Sequence, residues 1–294
     1  MEQQITTKNW YDKYYKLMMI VPLLLFIICM IYLFNFNSKN GDIMYKDVSL
    51  TGGTIITLHG SINSEELEAS LKQKYPDIRI RTISELATSK NLAVIIESQE
   101  DPDSLKAEIE SILDIKLTKE NSSIEFSGPS LGQSFYKQLI TALIISFILM
   151  SIVIFLLFKS FIPSVAVIFA VFADIVMPLA LLDYMGVSLS AAGIAAFLML
   201  IGYSVDTDIL LTTRVIKNRR GTVNQRIYSS FKTGIFMTGT ALIAVLPAFL
   251  LITGLPDSFR QIFLILTIGL FADIVNTWLT NAGIIKWYAE SKGI

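Results

Sequence analysis

The chain contains one cysteine and one histidine in 294 residues. A lone Cys29 excludes an internal disulfide and any thiolate metal cluster. A lone His59 removes the usual parts of zinc sites and nucleophile–base triads, and it reads as an ordinary strand residue. Charge is also scarce. Asp, Glu, Lys and Arg make up 17% of the residues and sum to a net −1, so the whole chain makes no case for nucleic acid. With no phosphate loop or metal cluster in context, an enzyme is the least supported class, and neither cofactor nor metal is expected. Apolar residues are abundant instead: 53% of the chain, with a mean hydropathy of +0.57, well above soluble usage.

Six segments are long and apolar enough to cross about 30 Å of hydrocarbon as helices. They fall near Leu17–Phe34, Phe135–Phe158, Ile162–Leu182, Leu189–Leu211, Gly234–Ile252 and Ile262–Leu279. The first run is long for a signal peptide and is followed by no small-x-small site, so it reads as an uncleaved anchor. Lys8, Lys13 and Lys16 precede it, Lys159 marks the turn after span two, and Arg214, Lys217, Arg219, Arg220 and Arg226 crowd the connection after span four. Lys286 and Lys292 follow span six, whereas the opposite connections carry Asp183, Asp257 and Arg260. This asymmetry predicts a multi-pass plasma-membrane protein with both termini cytoplasmic and the segment after span one outside. Trp10, Tyr14, Tyr15, Trp287 and Tyr288 suit the interfaces, and the basic loop suits either anionic lipid or a cytoplasmic partner.

The expected domains are 1–36 (N-terminus and span one), 37–133 (an extracytoplasmic domain) and 134–294 (spans two to six and the C-terminus). Within the domain, Thr54 to His59 alternates as a strand, and Ser64 reads as the N-cap of a helix ended by Pro76. Strands follow at Ile78–Ile83 and Leu92–Ile96, a helix opens at Asp101-Pro102, and Ser123–Phe126 closes the set. The order βαββαβ is the ferredoxin-like arrangement, so the fold class is a polytopic α-helical membrane protein with an α+β domain inserted between helices one and two. Two glycine motifs bracket that domain: Gly52-Gly53, and Gly128-Pro129 with Gly132. Such glycines permit positive φ or close backbone approach, and the proline stiffens a hinge.

The chemistry-bearing residues are acids inside apolar spans. A charge at mid-bilayer costs about 2.5–3.5 kcal/mol even on lenient scales, so acids there are kept for a task. Asp206 and Asp208 lie in span four, Asp174 in span three and Asp273 in span six. Positions two apart on a helix are about 200° apart, so Asp206 and Asp208 face opposite sides, one toward the bundle interior and the other toward a second subunit. Asp206 is the preferred coupling candidate. Asp273, Asn276, Thr277, Thr280 and Asn281 form a polar stripe that must meet protein or water, not lipid. No Lys or Arg lies deep in the spans, and Lys232 is the nearest. The acids are therefore expected to be protonated, hydrated or paired across a subunit boundary, or simply to hydrogen-bond neighbouring helices.

Together these pieces resemble the SecF family of protein-export membrane subunits in its archaeal form, over nearly the whole chain. The motifs that carry the likeness are Leu50-Thr-Gly-Gly-Thr54, Gly128-Pro-Ser-Leu-Gly132, Gly202-Tyr-Ser-Val-Asp-Thr-Asp208 and Asp273-Ile-Val-Asn-Thr-Trp-Leu-Thr-Asn-Ala-Gly283. That family belongs, with SecD, to the resistance-nodulation-division transporters, whose fourth span carries a proton-coupling acid. The resemblance matches Asp206 to the aspartate of SecD's Val-Asp-Ala pattern. Bacterial SecF instead shows Gly-Tyr-Ser-Leu-Asn-Asp, which sets Thr207 opposite its last aspartate, and it has an arginine early in span five where this chain offers only Lys232. The resemblance implies a heterodimer with a SecD-like subunit, association with a SecY-type channel, and contact with a translocating unfolded polypeptide and membrane lipid. The residues leave two alternatives open: a passive scaffold of the translocon, and half of a lipid or small-solute exporter.

Overall fold

A computed structural model describes residues 10–60, 62–75, 78–84, 91–251 and 257–294. Lys8, Pro76 and Ile252, to which the sequence assigned roles, lie outside the described residues. Helix α1 (Trp10–Asn40) leads to a single helical turn, α2 (Val48–Thr51), and then to the small domain. That domain comprises β1 (Gly53–His59), α3 (Ser64–Lys74), β2 (Arg79–Ser84), β3 (Asn91–Ser98), α4 (Pro102–Leu113) and β4 (Ser122–Ser127). Five further long helical stretches follow: α5 (Pro129–Phe158), α6 (Phe161–Tyr184), α7 (Ala191–Ile216), α8 (Val223–Leu251), and a last one that is α9 (Asp257–Val275), a π-helical segment (Asn276–Asn281) and α10 (Ala282–Lys292) end to end. Six helical stretches among the described residues are long and apolar enough to cross a membrane.

All four strands pair antiparallel, in the order β2-β3-β1-β4. Ile56 stands opposite both Ile96 and Ile124, and Leu58 opposite Val94. Ile56, Leu58, Val94 and Ile96 meet Leu67 and Leu71 of α3 and Leu105 and Ile109 of α4 in one buried core, whereas Ile124 is exposed. Helix α4 is capped by Asp101, whose carboxylate accepts from the Asp103 amide at 3.1 Å, with Pro102 at the first helical position. Helix α3 corrects the sequence reading. Its cap is Asn63, not Ser64: the Asn63 amide oxygen accepts from Glu66 N at 3.5 Å, and its Nδ2 donates to Glu66 Oε2 at 3.3 Å. The cap thus sits one residue before Ser64, with the Asn63 and Glu66 side chains bonded to each other.

In the membrane part, α6, α7 and α9 are the most buried helices and α1, α5 and α8 lie outside them. Ser190 caps α7 by accepting from Gly193 N at 3.0 Å. The segment before β1 joins the loop between α6 and α7: Leu189 N donates to Tyr45 O at 2.6 Å and Asp47 N to Leu189 O at 3.0 Å. Ala191 N donates to Ser49 Oγ at 2.9 Å, and Arg79 of β2 donates to Ser188 Oγ. Gln261 of α9 ties the same loop down, donating to Ser188 O at 2.6 Å and accepting from Ser190 N at 2.8 Å. The small domain therefore rests on the loop from which α7 springs.

The two glycine motifs pack on each other. Gly52 has φ +84°, and a β-carbon there would meet the Pro129 backbone; one on Gly132 would lie 2.7 Å from Gly52 N. The chain enters and leaves the small domain through this one crossing, which only glycines allow.

Candidate carboxylate cluster in the bundle core

Asp174, Asp208 and Asp273 come from α6, α7 and α9, the three most buried helices, and each is at most 1% exposed. Asp174 accepts from Ser204 Oγ on one carboxylate oxygen and from Asn276 Nδ2, at 2.6 Å, on the other. Thr277 Oγ1 lies 2.9 Å from Asp208 Oδ1 and 3.1 Å from Asp273 Oδ1. Asn281 Nδ2 adds a bond to Asp208 Oδ1 at 2.7 Å, and Thr238 of α8 reaches Asp273 Oδ2 at 3.4 Å. Asp208 Oδ2 and Asn281 Oδ1 are buried without a hydrogen-bond partner among the described residues. The partners found for the three acids are hydroxyls and amide NH2 groups, which donate hydrogen bonds without carrying charge.

The polar stripe is brought inward by the π-helical segment. Asn276, Thr277, Thr280 and Asn281 are all buried, but their backbone is not the α-helix that steps of three and four assume. A π turn closes from residue i to i+5 and occurs mostly as a single turn, often at functional sites. Thr280 turns away from the acids and lines an apolar crevice with Phe161 and Phe169.

Asp206 is not part of the cluster. It is exposed on the face of α7 opposite Asp208, beside exposed Gly202 and Tyr203. The half-turn separation seen in the sequence holds, and packing of α7 against α6 and α9 turns Asp208 inward and leaves Asp206 outside. Lys232 is likewise exposed, in a shallow groove of α8 with Thr233 and Phe236. Two residues along, on the opposite face, Gly234 has no room for a side chain, because a β-carbon would run into the Trp278 ring. Gly52, Gly53, Gly128, Pro129 and Gly132 sit together at the crossing beneath the small domain, remote in sequence from every acid of the cluster.

Sequence reasoning missed several groups. Thr238 carried a signal, a hydroxyl one turn beyond Gly234 in an apolar helix. Lys286, read only as a mark of orientation, is 1% exposed, 2.6 Å from Asp12 and 2.9 Å from Glu290, and also donates to Asn224. It locks α1, α8 and α10 together. Arg226, counted in the basic loop, turns inward and donates to the backbone oxygens of Val215, Asn218 and Ile294.

The protein-export SecD/SecF C-terminal profile matches residues 108–291, most of the chain and all three acids. The chain belongs to the SecD/SecF protein-export membrane protein family. Among its SecF relatives, the protein-export membrane protein SecF of Methanolacinia petrolearia is 38% identical over 279 residues, covering 95% of both chains. SecF of Pyrococcus furiosus is 36% identical, covering 94% of this chain and 92% of its own. The crystal structure of SecDF, a translocon-associated membrane protein from Thermus thermophilus, superposes with a TM-score of 0.79 at 19% identity. That match covers 99% of this chain and spans 40% of the SecDF chain, so the shared feature is the fold of one part of a larger molecule.

Proposed function

We propose that this chain is the SecF-type half of a protein-export pair, working beside a SecD-type subunit and a SecY-type channel to help an unfolded polypeptide cross the plasma membrane. Energy enters as protons or ions taken up at the Asp174–Asp208–Asp273 cluster. The observation that carries this reading is the cluster itself: three acids from three helices, buried with neutral partners in a bundle long enough to span the bilayer. A proton crossing the membrane brings roughly 2.3 kcal/mol per 100 mV, enough to bias a packed bundle between two arrangements.

The organisation follows from the same reading. The small domain is ferredoxin-like, supported by its βαββαβ order and its β2-β3-β1-β4 sheet, and it stands outside the cell as residues 37–133 between membrane parts 1–36 and 134–294. Both termini are cytoplasmic, where the basic connection 214–226 meets anionic lipid. Asp206 lies on the face given to the SecD-type partner. Motion in α7 and α9 reaches the small domain through the Ser188–Ala191 stretch, to which Arg79, Ser49 and Gln261 are bonded.

The test is translocation into vesicles carrying the whole complex, with and without an imposed gradient. Asp208→Asn and Asp273→Asn should each remove the gradient-stimulated part, a loss of about a hundredfold, while the complex still assembles. Asp206→Asn should act on assembly with the partner before it acts on coupling. Unchanged gradient dependence in both cluster variants would leave the chain as a passive scaffold.

A further inference from the structure

Thr277 stands between two acids with a single proton to give. Its Oγ1 is within hydrogen-bond distance of Asp208 Oδ1 and of Asp273 Oδ1, at 2.9 and 3.1 Å. A hydroxyl donates once and accepts on its lone pairs, whereas an ionised carboxylate only accepts. Both contacts are full two-centre hydrogen bonds only if one of the two acids carries a proton and donates it to Thr277. The neighbours settle which one. Asp208 Oδ1 already accepts from Asn281 Nδ2 at 2.7 Å, so a proton there would face a donor, and a proton on Oδ2 would find no acceptor among the described residues. Besides Thr277, Asp273 meets Thr238 at 3.4 Å and the Ser204 hydroxyl, whose own proton already goes to Asp174.

We infer that Thr277 is a proton bridge: Asp208 and Asp273 share one proton, and the Thr277 hydroxyl carries it between them. The inference deepens the proposed function and rests on it. In the forward step Thr277 gives its hydroxyl proton to Asp208 Oδ1 and takes the proton of Asp273 Oδ1. One O–H bond breaks at Thr277 and one at Asp273; one forms at Asp208 and one at Thr277. Thr277 ends unchanged, and the negative charge has moved from α7 to α9. The charged group facing the pair from α6 is Asp174, held by Ser204 and Asn276. The buried base of the same helical stretch, Lys286, is already bound to Asp12 and Glu290. Charge transfer from one helix to its neighbour gives the bundle a reason to rearrange, since the donors gathered around Asp208 lose their anion.

The experiment uses the reconstituted complex of this chain with its SecD-type partner. Thr277→Val, nearly the same shape without the hydroxyl, should lower gradient-driven proton uptake by about a hundredfold with assembly intact. Thr277→Ser should restore most of it, which a packing role would not explain. Infrared spectra of the native complex should show a protonated-carboxyl C=O band that Asp273→Asn removes and Thr277→Val shifts. If Thr277→Val keeps full proton uptake while Asp208→Asn abolishes it, the bridge is wrong and the coupling role stands. If neither variant matters, the coupling reading itself fails. Absence of that carboxyl band from the native spectrum overturns the bridge even if Thr277→Val does not assemble.

Discussion

Gly234 shows how one missing side chain fixes the surroundings of the acids. Its Cα lies where α8 meets α7 and the π-helical segment, with Thr207 and the Trp278 ring against it. Trp278 also meets Phe231 edge-on, ring centroids 5.1 Å apart, so the indole has little freedom to move aside. Gly234→Leu should therefore destabilise by overpacking, about 1–3 kcal/mol, read as a lower melting temperature of the purified complex. Replacing Trp278 by Leu in the same chain should recover part of the loss, because the two positions share one space. Nothing in the sequence announced this pairing. The acids were legible because charge in an apolar run is conspicuous. Which of Asp206 and Asp208 turns inward was not, since a two-residue offset fixes their opposition and only packing fixes the sense.

At the scale of elements, the helices were legible through their apolar runs, and their ends were not. Helix α1 is already formed at Trp10, the first described residue, and α5 begins at Pro129, well before the apolar stretches near Leu17 and Phe135. An apolar run marks the length in contact with lipid, whereas backbone hydrogen bonding continues into the polar ends. The π-helical segment was invisible because one extra residue per turn changes no composition. Helix α2 was invisible because it is a single turn held by one cap. That cap is Asp47, 6% exposed, accepting from Ser49 N at 2.8 Å and Ser49 Oγ at 2.5 Å. Burial pushes the Asp47 carboxyl up to about 7; the Glu97 charge adds to the rise, while the Ser49 donors and Arg81 oppose it. The folded joint thus keeps a proton that the unfolded chain releases once pH exceeds the ordinary carboxylate range. Its stabilising contribution is complete below that range and is lost as pH rises through about 7. Thermal unfolding of the purified chain should show a falling stability across that interval. Asp47→Asn, which keeps the cap but cannot titrate, should flatten this part of the profile. A slope that persists in the variant would place the titrating group elsewhere.

At the scale of the whole molecule, the distribution of exposure points to an absent neighbour. The face of α7 that carries Asp206 and Tyr203 is open, although the opposite face of the same helix holds Asp208 in the centre of the bundle. An acid left against lipid costs free energy that contact with another protein or with water would remove. The solved SecDF chain that shares this fold is more than twice as long, so the fold exists there with further structure joined to it. Composition supplies a clean probe, because Cys29 is the single thiol of the chain. In a Cys29→Ser background, Asp206→Cys should react with a membrane-permeant maleimide when the chain is made alone, and should be protected when the SecD-type partner is made with it. A control thiol replacing Leu156, exposed on α5, should label equally in both cases if α5 lies away from that partner. Equal labelling of residue 206 with and without the partner would mean that this face stays open in the complex, and the second half of the transporter would have to dock elsewhere.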